Sequence, residues 1–145
     1  MVKLRIVALG HRMPAWVTAG YDEYARRMPR ELPLDLVELK PEPRDRGKPV
    51  AQLLAAEAQR IRAACAGGAR IALDERGAAW TTRMLADRLR TWQDAGSDVS
   101  FVIGSADGLD ASFKEEAGAV FALSALTLPH GLVRIVLAEQ LYRAA

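Results

Sequence analysis

The chain has 145 residues, of which half are apolar, 26% charged and 6% aromatic, and its net charge is +2. This length suits one domain, and the composition excludes a disordered, collagen-like or coiled-coil chain. No apolar run reaches the ~20 residues of a membrane-spanning helix, and no signal peptide is evident, so we expect a cytoplasmic protein without a membrane partner. One cysteine, Cys65, and two distant histidines predict no disulfide and no metal site.

Strands and helices are predicted to alternate along the whole chain. Short runs rich in β-branched residues predict strands, whereas apolar residues at helical spacing predict helices. In chain order we expect strand 3–9, helix 16–28, strand 34–40, a helix from Pro49 to Gly67, strand 69–77, a helix from Thr81 or Thr82 to Gly96, a strand from 100 that runs into a turn ending at Gly108, a poorly periodic helix 110–118, strand 120–125 and helix 131–144. This order predicts an α/β fold with a parallel sheet and helices on both faces.

The last predicted helix is apolar on almost every side. Its apolar residues are Leu132, Val133, Ile135, Val136, Leu137, Leu141 and Tyr142. A helix of this kind must be buried, and a chain of this size has difficulty covering two of its faces. The sequence therefore predicts a homodimer built on this helix.

Three predicted strand ends carry residues suited to a ligand pocket, namely 73–77, 104–108 and 123–131. Ligands of open parallel sheets bind beyond the carboxyl ends of the strands, and the glycines here permit close backbone approach. The glycines could equally serve only to make turns. The fingerprints G-x-G-x-x-G and G-x-x-x-x-G-K-[ST] are absent, which argues against phosphate-driven nucleotide binding and leaves a cofactor held through its base and sugar.

Four sequence runs together resemble one family. They are the opening IVALGHRMPAWV, the later LDERG, FVIGSADGL at 101–109 and LSALTLPHGLVRIVLAEQLYRA at 123–144. In order and spacing they are similar to the ribosomal RNA large subunit methyltransferase H family of the SPOUT superfamily. The resemblance implies an enzyme that uses S-adenosylmethionine to methylate N3 of a pseudouridine in 23S ribosomal RNA on the ribosome.

The resemblance also implies a single SPOUT domain over residues 1–145, with a C-terminal trefoil knot in a cofactor-binding part at about 70–145. Knots are so rare that no periodicity could have predicted one. The cofactor positions that match are Leu73, Gly104, Leu123, Ser124, Ala125, Leu126, Thr127 and Leu128. No metal is implied.

Removal of the N3 proton is a catalytic task left to the protein, and the candidates in the matching terminal run are His130, Glu139 and Arg143. His130 could instead help to start the last helix, and Glu139 and Arg143 could form a helix-supporting i,i+4 pair.

The N-terminal part carries the excess of basic residues, which could be no more than a solvated surface. As RNA contacts we expect Arg12, Arg26, Arg27, Arg44, Arg46 and Lys48.

Members of the family continue with a tail ending in a sequence like NHPYHR, whereas this sequence stops at Ala145. The resemblance implies that tail residues complete the active site. We therefore expect residues 1–145 to bind S-adenosylmethionine but to methylate ribosomes slowly or not at all. The alternative function is that of a non-catalytic knotted dimer that binds ribosomal RNA or the ribosome.

Overall fold

Strands and helices alternate in a computed structural model that describes residues 2–65 and 67–145. The elements are β1 (Leu4–Leu9), α1 (Ala15–Ala25), β2 (Leu34–Leu39), α2 (Val50–Ala64), β3 (Ala69–Ala79), α3 (Thr82–Ala95), β4 (Val99–Ile103), α4 (Ala111–Glu116), β5 (Ala119–Ala122) and α5 (His130–Ala144). Each predicted element is present, with ends that differ by a few residues. None of these helices combines the length and the apolarity needed to cross a bilayer.

The strands form one sheet in the order β2-β1-β4-β3-β5, and every pairing is parallel. The predicted fold class is thereby confirmed. The central strand β4 is buried at all five positions. A strand that is covered on both faces has a continuous apolar sequence. This is why apolar and polar residues do not alternate in VSFVI, where Ser100 is the one polar residue.

Alternate residues of the strands pack against helices on opposite faces of the sheet. Ile6 and Phe101 lie in one core with residues of α1, α3 and α5, whereas Val7 and Val102 lie in the other with residues of α2 and α4. Because side chains of a strand point alternately to either face, this division follows from the sequence. The result is three layers, with the sheet in the middle.

Helix α5 packs beside α1 at two glycines. A β-carbon on Gly20 would lie 2.8 Å from Cδ1 of Ile135, and one on Gly131 would lie 2.9 Å from a methyl group of Val17. The absence of side chains at these glycines lets the two helices approach closely. On its other flank α5 contacts α3, where the Thr82 hydroxyl bonds the side-chain carbonyl of Gln140 at 2.5 Å.

The subunit itself covers more of α5 than the sequence indicated. Leu137, Ala138 and Leu141 are fully buried within one chain, because they face the sheet between α1 and α3. The face opposite to them holds Leu132 and Val136, which are half-buried, followed by Glu139 and Arg143. Only this narrower face is left for a second copy, and the homodimer stays a prediction.

Strand β3 contains a bulge that interrupts its pairing with β5. Both Leu73 and Ala78 pair with Phe121 of β5, so the residues between them bulge out of the ladder. The bulge contains Gly77, where a β-carbon would lie 2.7 Å from the carbonyl oxygen of Val120. It places the polar side chains of 74–76 at the carboxyl edge of the sheet. The knot implied by the resemblance stays a prediction.

Candidate functional site

A cavity of about 420 Å³ opens at the carboxyl edge of the sheet. The bulge of β3 and the segments that follow β4 and β5 form most of its wall, and Lys114, His130 and Val133 complete it. Its volume and its place beyond the strand ends are typical of small-molecule sites. The three segments singled out in the sequence therefore meet at one cavity, although 73–77 lies at a bulge within β3 and not at the strand end that the sequence predicts.

Seven of the eight residues predicted to bind the cofactor line this cavity. They are Leu73, Gly104, Leu123, Ser124, Leu126, Thr127 and Leu128. Ala125 belongs to the same segment, but it is exposed and lies outside the lining. Their contact with a cofactor stays a prediction.

The wall after β4 is a tight turn between Gly104 and Gly108. The amide of Gly108 donates to the carbonyl oxygen of Ser105 at 2.9 Å, and Gly108 has a φ of +87°. A β-carbon on Gly104 would lie 2.5 Å from the carbonyl oxygen of Gly108. Both glycines are therefore needed for the turn itself, the first for close approach and the second for its left-handed backbone.

Two polar contacts link the bulge of β3 to other parts of the cavity wall. Asp74 accepts from the Lys114 ammonium at 3.1 Å, and Glu75 accepts from the Thr127 hydroxyl at 2.6 Å. The second contact joins the bulge of β3 to the segment after β5. Within the described ranges, no three His, Cys, Asp or Glu side chains are grouped in a way that could hold a metal ion.

His130 lies at the start of α5 and contacts both the cavity wall and the core. Its Nδ1 lies 3.0 Å from the carbonyl oxygen of Gly104, and its Nε2 lies 3.3 Å from Nη2 of Arg134. Because a carbonyl only accepts and a guanidinium only donates, Nδ1 carries the proton and Nε2 accepts. Burial, and then the Arg134 charge, lower the pKa of His130, which favours this neutral ring.

Arg134 is a buried residue that the sequence analysis did not select. It is 2% exposed, donates to Glu38 at 2.7 Å and to the carbonyl oxygen of Gly10 at 3.3 Å, and so joins α5 to the ends of β1 and β2. Its one signal in the sequence was its charge, because it stands in a helix that was predicted to be buried on all sides. Buried arginines require partners, and those partners are distant in sequence.

Glu139 and Arg143 pair with each other and lie outside the cavity lining. The distance between Arg143 Nη2 and the Glu139 carboxylate is 2.6 Å. Along the helix axis, roughly 13 Å separate Glu139 from His130 at 1.5 Å per residue. The structure therefore places one catalytic candidate at the cavity and the other two on the outward face of α5.

The basic residues predicted to contact RNA have different surroundings. Arg26 and Arg27 both pair with Glu23, and Arg44 pairs with Glu57 and Asp107. The remaining three are exposed and form no ion pair within residues 2–65 and 67–145. They are Arg12, Arg46 and Lys48.

A parallel sheet with a cavity at its carboxyl edge, covered in part by the segment leading into the last helix, defines a ligand-binding α/β domain. The family model described as "Predicted SPOUT methyltransferase" matches residues 2–145. In fold the chain is similar to a methylase family protein from Neisseria gonorrhoeae, with a TM-score of 0.53 at 14% identity over 98% of this chain and 81% of that one.

Two relatives are named Ribosomal RNA large subunit methyltransferase H. The one from Nitrosospira multiformis is 57% identical and the one from Burkholderia ambifaria 56%, each over 99% of this chain and 92% of the relative. This chain belongs to the ribosomal RNA large subunit methyltransferase H family of SPOUT methyltransferases. The resemblance found in its sequence is confirmed.

Proposed function

We propose that the protein transfers a methyl group from S-adenosylmethionine to N3 of a pseudouridine in 23S ribosomal RNA, in the cytoplasm and on the ribosome. The observation that carries the proposal is the cavity, because it brings together seven of the eight positions at which the family resemblance implies cofactor contact. Membership of the SPOUT methyltransferase family supports S-adenosylmethionine as the donor. The names of the relatives support ribosomal RNA as the substrate class.

The residues around the cavity fit a nucleoside with a charged side arm. Leu73, Leu123 and Leu128 supply apolar surface for a base, and the Gly104–Gly108 turn supplies backbone groups. The Glu75 carboxylate supplies negative charge for the sulfonium, whereas the charge of Asp74 is balanced by Lys114. When bound, the cofactor provides an electrophilic methyl group on its sulfonium.

The protein must orient the pseudouridine, and the N3 proton must leave to a base or to solvent as the methyl group is attached to N3. His130 is neutral, but both of its ring nitrogens are engaged, so Nε2 can receive a proton only if Arg134 withdraws. We therefore assign His130 the role of fixing the Gly104 carbonyl. Glu139 and Arg143, on the outward face of α5, are proposed to orient RNA or to meet a second subunit.

The test uses ribosomes that lack the modification. Purified protein is incubated with them and with S-adenosylmethionine, and the 23S RNA is digested and analysed by mass spectrometry. We expect a cofactor-dependent mass gain of one methyl on a pseudouridine, slow or undetectable with residues 1–145 alone and larger when a tail like NHPYHR is appended. Ribosome binding with no methylation in either form would instead support the non-catalytic binding function, and no binding of either ligand would refute both.

A further inference from the structure

Glu57 is a buried carboxylate with three partners from distant parts of the chain. Its side chain on α2 is 2% exposed. It accepts from the backbone amide of Glu42 at 2.9 Å, from Nη1 of Arg44 at 2.6 Å and from the Ser105 hydroxyl at 2.9 Å. A buried charge is costly unless it is paired. The Glu57 carboxylate therefore depends on these three hydrogen bonds to remain charged inside the protein.

Arg44 extends the same network to the wall of the cavity. Its Nη2 donates to the Ser105 hydroxyl at 2.8 Å, and its Nε donates to the Asp107 carboxylate at 3.0 Å. The bond to Glu57, above all, raises the pKa of Arg44, so the guanidinium stays charged. The planar guanidinium of Arg44 therefore joins two residues of the Gly104–Gly108 turn, Ser105 and Asp107, to Glu57 of α2.

Neither Glu57 nor Arg44 lines the cavity, whereas Ser105 and Asp107 both do. We propose that Glu57 and Arg44 are positioning residues that hold the Gly104–Gly108 turn in the shape required to bind the cofactor. The inference rests on the proposed function, since it assumes that the cavity takes S-adenosylmethionine. It also means that cofactor affinity depends on the loop between β2 and α2, because Arg44 belongs to that loop.

A second ion pair of α2 provides a matched control. Arg62 donates to Glu116 of α4 through two bonds of 3.0 Å, and neither residue lines the cavity. Arg62→Gln therefore removes a pair of similar geometry from the same helix without touching the turn. Because the Glu57 side chain is 2% exposed and that of Glu116 is 48% exposed, the melting temperature of each variant is measured beside its affinity, to separate loss of stability from loss of binding.

The experiment uses calorimetry to measure binding of S-adenosylhomocysteine, the demethylated form of the cofactor, to the wild type, Arg44→Gln, Glu57→Gln and Arg62→Gln. We expect affinity to fall about tenfold in Arg44→Gln and Glu57→Gln, because each loses charge-assisted hydrogen bonds that hold the Gly104–Gly108 turn. In Arg62→Gln affinity should stay within about twofold. Arg44→Lys keeps the charge but not the planar guanidinium and should be intermediate. Equal affinity in all variants would overturn the inference alone, whereas failure of the wild type to bind would overturn the proposed function as well.

A double-mutant cycle separates positioning from independent stabilisation. If Arg44 acts through the turn, the effects of Arg44→Gln and Ser105→Ala should not add. The double variant should then bind as tightly as whichever single variant binds more weakly. Additive losses would refute the proposed route. Should Glu57→Gln fail to fold by circular dichroism, the Arg44 variants decide the question, because the Arg44 side chain is 33% exposed.

Discussion

At the scale of single residues, Gly104 is the position where the smallest change should have the largest effect on binding. A methyl group there would lie 2.5 Å from the carbonyl oxygen and 2.7 Å from the carbonyl carbon of Gly108, and neither backbone atom can move without opening the turn. We expect Gly104→Ala to weaken S-adenosylhomocysteine binding at least about tenfold in calorimetry, and Gly104→Val to abolish it.

Gly118→Ala is the control for this substitution. The added carbon there would lie 3.5 Å from the Arg70 carbonyl oxygen, an ordinary contact remote from the cavity. Affinity in Gly118→Ala should match that of the wild type. Unchanged affinity in Gly104→Ala would show that the cofactor binds elsewhere.

His130 should make stability depend on pH. Its pKa is lowered in the folded protein by burial and by Arg134, so below the ordinary value of about 6.5 the unfolded chain binds a proton more readily than the folded one. The free energy of unfolding should therefore fall as pH decreases from 7 through 6, with a slope of at most about 1.4 kcal/mol per pH unit from this one group. Urea denaturation at a series of pH values measures it.

His130→Gln should remove that part of the pH dependence. The groups around the ring are the Gly104 carbonyl, Arg134 and Glu38, of which the Gly104 carbonyl and then Glu38 favour the protonated ring and partly oppose the lowering of its pKa. His11→Gln is the control, since His11 is the other histidine of the chain. An identical slope in the wild type and in His130→Gln would contradict this account of the ring.

At the scale of elements, the outward face of α5 is where a second subunit can bind. Leu132 and Val136 lie there half-buried, followed by Glu139 and Arg143. We expect Val136→Glu to convert a homodimer into monomers in light scattering, because it would bury an unpaired carboxylate at the interface. Leu137→Glu is unsuitable, since Leu137 is fully buried in its own subunit and its loss would unfold the chain.

Val50→Glu is the matched control for the dimer prediction. Val50 is 48% exposed at the start of α2, on the opposite face of the sheet. This variant should keep the association state of the wild type. A monomeric wild type, or dissociation by both substitutions, would refute an interface on α5.

The elements themselves could be predicted because their signals are local. Thr81 and Gly96 bound α3 as expected, with the Thr81 hydroxyl accepting from the Met84 amide and Gly96 in a left-handed conformation. The bulge of β3 could not be predicted, because it depends on where β5 pairs. Nothing within the LDERG run indicates that the strand resumes as far as Ala79.

The same limit applies to the candidate site. Sequence located the three segments that form the cavity, because each carries a glycine and polar residues directly after an apolar run, although 73–77 lies within β3. The partners of Glu57 are separated from it by 13, 15 and 48 positions, and those of Arg134 by up to 124. Such networks depend on the finished packing of helices on the sheet, so no spacing rule could predict them.

At the scale of the whole molecule, the carboxyl edge of the sheet presents exposed positive charge that can meet RNA. Arg46 and Lys48 are exposed on the loop between β2 and α2, and Arg44 of that loop is bonded to the cavity wall. Arg26 and Arg27 share the Glu23 carboxylate, which reduces their value as phosphate ligands. The loop therefore brings uncompensated charge beside the proposed methyl donor.

We expect the double variant Arg46→Gln and Lys48→Gln to bind ribosomes more weakly than the wild type in sedimentation assays. Each lost phosphate contact should reduce the slope of log affinity against log salt by roughly 0.7–0.9. Arg30→Gln with Arg83→Gln removes equal charge from exposed positions outside this loop and should bind as the wild type does. Equal losses in both double variants would mean that net charge alone attracts the protein to RNA, and that the loop has no specific part in presenting the substrate to the cavity.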